Sequence, residues 1–388
     1  GYIDTKSFEQ ENGSITIVTA RGCVLVSGNN IYDLTLGGTN GNRVLWQGSG
    51  GNNTDITSYI GNGKLGGWLD MRDQILAKYE LDLDAFAKEF AWSVNLQHSQ
   101  GTGLAALSTV KGTYAVTAVT GPAAAITASG LFYQDKIVGG SFNLWIYDEN
   151  GDLVDGDTVA VGTNAVTVVI DAVTTTLNSL CADINTKVGL TAASGEIVAS
   201  ITDNTLKIAA DSDYTFAFSD DTSNVLAALG INTFFSGSSA GNIAVNDSIG
   251  SDTNLIAAAQ INAADGSFAA GDNRNAMAVS DIQYASQSIS RWTCDRINGN
   301  TEGSTTSSLE DYYHSMVGSI GIASAGISRN KSFNEVMVSK LGDIRDGISA
   351  VSLDEEMTNL IKFQQAYAAA AKLISTADEM LDTLLSVK

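Results

Sequence analysis

The chain has 388 residues, a formal net charge of −22, and 39 glycines beside a single proline. Its length predicts two or three domains, and its charge argues against nucleic acid as a partner, because phosphate recognition needs patches of Lys and Arg. No stretch reaches the roughly 18 consecutive apolar residues of a membrane-spanning helix, so no membrane partner is predicted.

The first part of the chain has a strand pattern that changes to a helical one. The stretches "SITIVTA" (14–20) and "CVLVSG" (23–28) alternate in the way typical of half-buried strands. From Leu69 to His98 apolar residues recur every three or four positions, which predicts a helix. We expect residues 1–104 to form the first part of a scaffold domain.

Residues 105–270 differ from the rest in charge and pattern. They contain 17 Asp and Glu residues, four lysines and no arginine. A short helix is predicted over 176–188, among strands. The predicted strands are "FNLWIY" (142–147), "DTVAVG" (157–162), "AVTVVI" (165–170), "EIVASI" (196–201), "TLKIAA" (205–210) and "YTFAFS" (214–219). A β-rich block between helical ones indicates an inserted domain.

The acidity of this block has two interpretations. One is a solvated, self-repelling surface, and the other is calcium binding. The best calcium candidate is "DENGD" (148–152), in which glycine comes too early for an EF-hand loop. A hairpin turn explains it better, so we predict no metal ligands there.

After about Gly271 the helical period returns and is predicted to continue to the end of the chain. Residues 271–347 would complete the scaffold domain, and residues 348–388 would form a C-terminal helix. The predicted fold class is therefore α+β and multidomain, with a coiled-coil-like helical scaffold of discontinuous segments, an inserted β-rich domain and a long C-terminal α-helix.

Two series of positions in this last part are spaced alternately four and three residues apart, over 309–344 and over 353–385. A sustained period of 3.5 residues is typical of a coiled coil that needs partner helices, although a helical bundle gives a similar pattern over three heptads. Capping boxes are predicted at the start of each series, from Ser307 with Glu310 and from Ser352 with Glu355.

The C-terminal helix is narrow at its centre. The stretch "NLIKFQQAYAAAAKLISTAD" (359–378) has neither proline nor glycine, and its alanines cover most sides of one turn. Helices can therefore approach it closely from several directions. Gln364, Gln365 and Asp378 lie among the apolar positions, where polar groups cost stability but can fix register between helices. This pattern suits dense packing among copies, and an ordinary monomer remains the alternative.

No motif predicts a catalytic, cofactor-binding or metal site. Cys23, Cys181 and Cys294 are far apart and lack CxxC spacing, so we expect buried thiols. His98 and His314 lie on helical patterns without a nucleophile elbow or a zinc motif, which predicts packing or surface roles. We predict neither an enzyme nor a cofactor.

Four stretches resemble a known family. The segment "VSLDEEMTNLIKFQQAYAAAAKLISTADEMLDTLL" (351–385) is similar to the C-terminal signature of bacterial flagellar axial proteins. The segments over 63–104, 224–246 and 271–278, which include "LGGWLDMRD" and "LAALGINTFF", resemble the hook-associated protein 1 family in the same order. This family forms the junction between hook and filament.

The resemblance implies a structural, assembling protein. It implies a terminal helix that pairs with an N-terminal helix in the inner tube of the flagellum, with β-rich domains outermost. The expected partners are other copies in a ring, hook protein, a second junction protein or flagellin, and an export chaperone. The expected location is extracellular, on the flagellum, after type III export without a cleaved signal peptide. The chain begins at Gly1 within a strand region, so we expect the family's N-terminal helices to be absent from it.

Pattern and resemblance together predict a subunit interface on the C-terminal helix. Its ordering on assembly would couple folding to binding. The predicted interface residues are Leu353, Met357, Leu360, Phe363, Gln364, Tyr367, Ala371, Ile374, Leu381 and Leu384.

Other classes remain open at this stage. A secreted adhesin or glycan-binding protein would work through the acidic β-rich insertion. A hydrolase would need a carboxylate pair in the insertion, and no spacing singles one out. Within the flagellum, a flagellin or a hook protein is the nearer alternative, and "LAALGINTFF" argues against both.

Overall fold

The computed structural model describes residues 1–48, 50–154, 165–191, 193–349 and 353–387. They form two compact units, Gly1–Met316 and Val317–Lys388, which we describe separately. Helices and sheets both contribute, and a long helix ends the chain, so the predicted α+β class is confirmed.

Two small antiparallel sheets begin the first unit. Their strands are β1 (Thr5–Glu9), β2 (Ile15–Thr19), β3 (Val24–Ser27), β4 (Asn30–Ile31), β5 (Leu34–Gly37), β6 (Arg43–Gln47) and β7 (Asn53–Asp55). The sheet orders are β1-β2-β3-β4 and β5-β6-β7. The strands predicted over 14–20 and 23–28 are confirmed as β2 and β3. Val44 and Ile56 pack with Ile60 and Leu69 in a small core, which ties the second sheet to the following helix.

One helical run follows the sheets. Helix α1 (Gly63–Asp70) continues through a π-helical segment, Met71–Leu76, into α2 (Ala77–His98). The predicted helix over 69–98 is confirmed, and it begins earlier, at Gly63. The C-terminal part of α2 is buried, including Trp92 and Val94, so the rest of the unit packs around this part of the helix.

The main core of the unit lies in the acidic region. Its elements are β8 (Gly101–Thr102), β9 (Thr109–Lys111), β10 (Gly140–Tyr147), β11 (Val166–Ile170), α3 (Leu177–Val188), β12 (Ile197–Thr202), β13 (Thr205–Ala210) and β14 (Thr215–Ser219). They build two antiparallel sheets, β11-β10-β14 and β12-β13-β9, and α3 contacts β11 and β12. Buried and exposed residues alternate along β11, as expected of a strand with one face in the core.

These elements match the sequence predictions closely. Five of the six predicted strands are confirmed as β10 to β14, and the predicted helix is α3, capped by Thr176 with Ser179. The remaining strand, "DTVAVG", lies outside the described residues. The "DENGD" stretch is the predicted turn, with the Asp148 N–H donating to the Asp152 carbonyl at 2.9 Å.

Short elements lead the chain back to α2. They are α4 (Val225–Leu229), β15 (Phe235–Ser236), β16 (Ala244–Val245), α5 (Asp247–Ser251), β17 (Ala259–Gln260) and α6 (Arg274–Asp281). Helix α4 is buried in full and ends at Gly230, which has a φ of 72°. Strand β17 pairs with β8 directly after α2, so both ends of the acidic region meet at the same place.

The prediction that helical structure continues from Gly271 to the end is wrong. Strands β18 (Gln287–Asp295) and β19 (Gly299–Ser307) form an antiparallel hairpin in this interval. The physical reason is that β19 is rich in Thr, Ser and Gly, which disfavour a helix, while β18 buries Ile289 and lies on α2. Gly299, with a φ of 84°, allows the tight connection.

Two long helices end the chain. Helix α7 (Leu309–Ser349) begins in the first unit, and its remainder forms the second unit with α8 (Leu353–Ser386). Among the described residues, no helix combines the length and the apolar character needed to cross a membrane.

Candidate subunit interface

Helix α8 owes its conformation to local chemistry rather than to packing, because none of its described residues is buried. Asp354, Glu355 and Glu356 lie in the first turn, where negative charge complements the helix dipole. The central alanines have the highest helix propensity. The hydroxyls of Thr358 and Thr376 donate to carbonyls four residues earlier, so they are satisfied within the helix.

The ten residues predicted as interface residues are all exposed on α8. Phe363 is 76% exposed and Tyr367 is 79% exposed. At 3.6 residues per turn, most of the ten share one side of the helix, and Leu384 lies beyond its edge. We call this side the apolar face of α8; it comprises Leu353, Met357, Leu360, Phe363, Gln364, Tyr367, Ala371, Ile374 and Leu381.

The opposite side of α8 has a different chemistry. We call it the polar face; it comprises Thr358, Lys362, Gln365, Ala369, Lys372, Thr376 and Thr383. Helix α8 is therefore amphipathic mainly over its first part, because nearer the end of the helix Asp378 and Asp382 lie on the apolar side and Met380 lies on the polar side. The apolar stripe is exposed to solvent instead of facing a core. An amphipathic helix of this kind gains stability when another surface covers the stripe.

The start of α7 differs from its remainder. Leu309, Tyr312 and Met316 are buried in the first unit, and the Tyr312 ring stacks on Phe86 with ring centroids 6.1 Å apart. From Val317 onward most side chains are exposed. The first members of the heptad series predicted over 309–344 therefore pack within the first unit, whereas most of the later members are exposed.

The N-cap of α7 lies one residue later in the chain than the sequence predicts. The N–H of Asp311 donates to Ser308 Oγ at 3.1 Å, so Ser308 caps α7 and the predicted box from Ser307 with Glu310 is wrong. Burial of Leu309 fixes where the first turn begins, and Ser308 then takes the capping position. The second predicted box includes Ser352, which lies outside the described residues.

Sequence reasoning missed the polar contacts that fasten α2 to the acidic region. Asn95 donates through Nδ2 to the Phe235 carbonyl at 2.9 Å, and its Oδ1 accepts from the Phe235 N–H at 2.8 Å. Asn232, with a φ of 50°, donates to the Gly101 carbonyl at 3.0 Å. The signal in the sequence is a set of short polar residues in a helical stretch that is otherwise apolar.

A buried ion pair makes a second connection. Lys136 Nζ lies 2.8 Å from one carboxylate oxygen of Glu89 and 3.1 Å from the other. The Glu89 side chain is 8% exposed and that of Lys136 26%. Because a buried carboxylate needs a partner, this pair fixes the acidic region against the middle of α2.

The histidines and cysteines, which were considered for catalysis or metal binding, differ in how far they are buried. His98 is buried and hydrogen bonded on both ring nitrogens, whereas His314 is exposed on α7. The sequence predicts three buried thiols. Cys294 is buried, whereas Cys23 and Cys181 are half-buried. Burial raises the pKa of the Cys181 and Cys294 thiols. The described residues contain no group of three or more potential metal ligands.

Two family models match the ends of the chain. The flagellar hook-associated protein FlgK helical domain matches residues 1–109. The flagellar basal body rod FlgEFG protein C-terminal region matches residues 347–387, which include α8.

Individual relatives match shorter parts. Flagellar hook-associated protein 1 of Bacillus subtilis is 37% identical over 118 residues, which cover 30% of this chain and 21% of the relative. The Escherichia coli protein of the same name is 32% identical over 117 residues, which cover 30% of this chain and 19% of the relative. The flagellar hook protein FlgE of Caulobacter vibrioides is 52% identical over 40 residues, 10% of this chain and 7% of the relative. The matches thus span about a fifth of the hook-associated relatives.

A solved structure of the flagellar hook junction protein FlgK from Burkholderia pseudomallei aligns with a TM-score of 0.38 and 15% identity, covering 90% of this chain and 76% of that one. Residues 1–109 are thus similar to the helical domain of the FlgK family of flagellar hook-associated proteins, and residues 347–387 to the C-terminal region of the flagellar basal body rod FlgEFG proteins.

Proposed function

We propose that this chain is a structural subunit of the bacterial flagellum that forms the junction between hook and filament. It polymerises through its terminal helices rather than acting on a substrate. The observation that carries the proposal is the exposed apolar face of α8, which includes Leu360, Phe363 and Tyr367. Support also comes from the FlgEFG C-terminal model, which matches the same helix.

The energetics favour assembly through this face. Covering one Leu, Ile, Phe or Met side chain contributes about 1.5–3 kcal/mol. Several such residues on α8 together outweigh the cost of ordering one helix, but only when neighbours cover them. Ala371 at the centre of the face allows the closest approach, and Gln364 can form a hydrogen bond that fixes the register.

The proposed partners follow from the same helix. Other copies of this chain in a ring are the first of them, with hook protein on one side and a second junction protein or flagellin on the other. The identity over 40 residues with a hook protein supports a common mode of packing. Before assembly, an export chaperone would cover the apolar face. The proposed location is the flagellum outside the cell, reached without a cleaved signal peptide.

Photocrosslinking in the source bacterium tests the proposal. A photoreactive phenylalanine analogue at Tyr367, on the apolar face, should crosslink to other copies of this chain or to another axial protein. The same analogue at Lys362, an exposed residue on the polar face, is the matched control and should crosslink less. Equal crosslinking from both positions, or none from Tyr367, would contradict the proposal.

A further inference from the structure

A cleft in the first unit takes no part in the interface proposed above. Its volume is about 640 Å³, and its walls come from α2, from the loop around Phe132 and from the hairpin β18–β19. We call it the α2 cleft. The lining residues that concern its chemistry are Asp84, Lys88, Phe132, Ser239, Trp292 and Glu302.

Two aromatic side chains line this cleft. Phe132 is 38% exposed, and Trp292 is half-buried. The indole N–H of Trp145 donates to Ser219 Oγ, but that of Trp292 has no hydrogen-bond partner among the described residues. The backbone of Trp292 is held firmly, because its N–H donates to buried Asp82 Oδ1 at 2.8 Å. The cleft therefore has an aromatic wall with an unused donor.

Polar groups stand beside these rings. Lys88 Nζ lies 4.8 Å from the centre of the Phe132 ring and has no carboxylate within ion-pair distance in the described part of the chain. Asp84 uses Oδ1 to accept from the Ala240 N–H, and Glu302 uses Oε1 to accept from Ser290 Oγ. The second oxygen of each carboxylate has no partner among the residues that the structure describes. Donors and acceptors therefore both remain available.

This combination selects a ligand with an apolar face and several hydroxyl groups. An aromatic ring covers an apolar face, while carboxylates, hydroxyls and an ammonium group bind hydroxyls. The ionisable groups of the cleft carry a net negative charge, which disfavours an anionic ligand, while the Lys88 ammonium group beside the Phe132 ring disfavours a cationic one. The ionisable groups are four carboxylates and two ammonium groups, from Asp84, Glu89, Asp135, Glu302, Lys88 and Lys136.

We propose that the α2 cleft binds a neutral oligosaccharide, with one sugar ring lying against Trp292. The site is separate from α8 and does not depend on the proposed flagellar assembly. It also differs from a glycan site within residues 105–270 alone, because α2 and the hairpin supply Lys88, Trp292 and Glu302.

Calorimetric titration of the full 388-residue chain tests this proposal. Three neutral trisaccharides serve as probes: maltotriose, cellotriose and triacetylchitotriose. At least one should bind saturably, with a Kd of about 1 mM or below. Trp292→Ala should weaken that binding at least tenfold. Trp68→Ala is the matched control, because Trp68 is an exposed tryptophan outside the cleft, and it should leave binding unchanged.

A blocking variant keeps the test decisive if Trp292→Ala fails to fold. Ser288 lies at the cleft with its side chain exposed, so Ser288→Arg should fill the cleft and abolish binding with the melting temperature unchanged. The proposal is overturned if none of the three trisaccharides binds, or if binding survives Ser288→Arg. Tighter binding of the anionic trigalacturonate than of the neutral probes would also overturn it.

Discussion

His98 Nε2 accepts a hydrogen bond from the backbone N–H of Ala257 over 3.0 Å. Because the other ring nitrogen, Nδ1, faces the Asn232 carbonyl at 2.8 Å, it must carry the proton and donate. These two bonds require a neutral imidazole, since a protonated ring would present a second donor to the Ala257 N–H. Burial accordingly lowers the pKa of His98 below its ordinary 6.5. His98 is thus a connection between α2 and the returning chain that acid can break.

We expect the first unit to lose stability as the pH falls through 6.5. The unfolded chain takes up a proton on His98 near pH 6.5, whereas the folded chain does so only at lower pH, so protonation favours the unfolded state. Urea unfolding at about pH 7.5 and about pH 5 measures this. His98→Gln should reduce the difference between the two pH values. His314→Gln, at an exposed histidine, should retain it. Equal pH dependence in wild type and His98→Gln would exclude this account.

Asn95→Ala should destabilise the first unit by about 2 kcal/mol, because it removes the buried side chain that pairs with the N–H and the C=O of half-buried Phe235. The free energy of unfolding in urea is the measurement. Asn30→Ala, at an exposed asparagine, is the control and should change it by less than about 0.5 kcal/mol. A similarly small loss for Asn95→Ala would mean that the α2 contacts do not hold the acidic region.

Lys136→Met should lower the free energy of unfolding by about 3 kcal/mol, because it leaves the buried carboxylate of Glu89 without its charged partner. This is the lower end of the range for a broken buried pair, since Lys136 is partly exposed. Adding Glu89→Gln should recover much of the loss, because no uncompensated charge remains. The double-mutant cycle, measured by urea unfolding, decides the point. Additive losses would show that the two side chains are not coupled.

Much of the fold could be predicted from the sequence where one periodicity dominates. The alternation in β10 to β14 and the helical spacing of α2 are examples, because burial of one face sets both. The hairpin β18–β19 could not be predicted from apolar spacing, since β19 is almost wholly polar and depends on pairing with β18. The contacts of Asn95 and His98 join residues more than a hundred positions apart. Such partners follow only from the folded chain.

The alanines of α8 provide a matched pair of variants. Ala371→Glu puts a charge on the apolar face and should abolish filament growth, because an unpaired charge cannot be buried between subunits. Ala369→Glu makes the same substitution on the polar face and should leave growth close to wild type. Both residues are exposed, so neither variant should change the stability of the first unit. Filament length and swimming in the source bacterium are the readouts. Normal filaments with Ala371→Glu would contradict the predicted interface.

The most direct test of the central claim is removal of residues 353–388 in the source bacterium. Cells are imaged for flagella, and the medium is assayed for flagellin. If α8 is the assembly element of a junction subunit, the cells carry bare hooks and flagellin accumulates as monomers in the medium, while the truncated chain is still exported. Normal filaments and normal swimming would contradict both the junction role and the use of α8 in assembly.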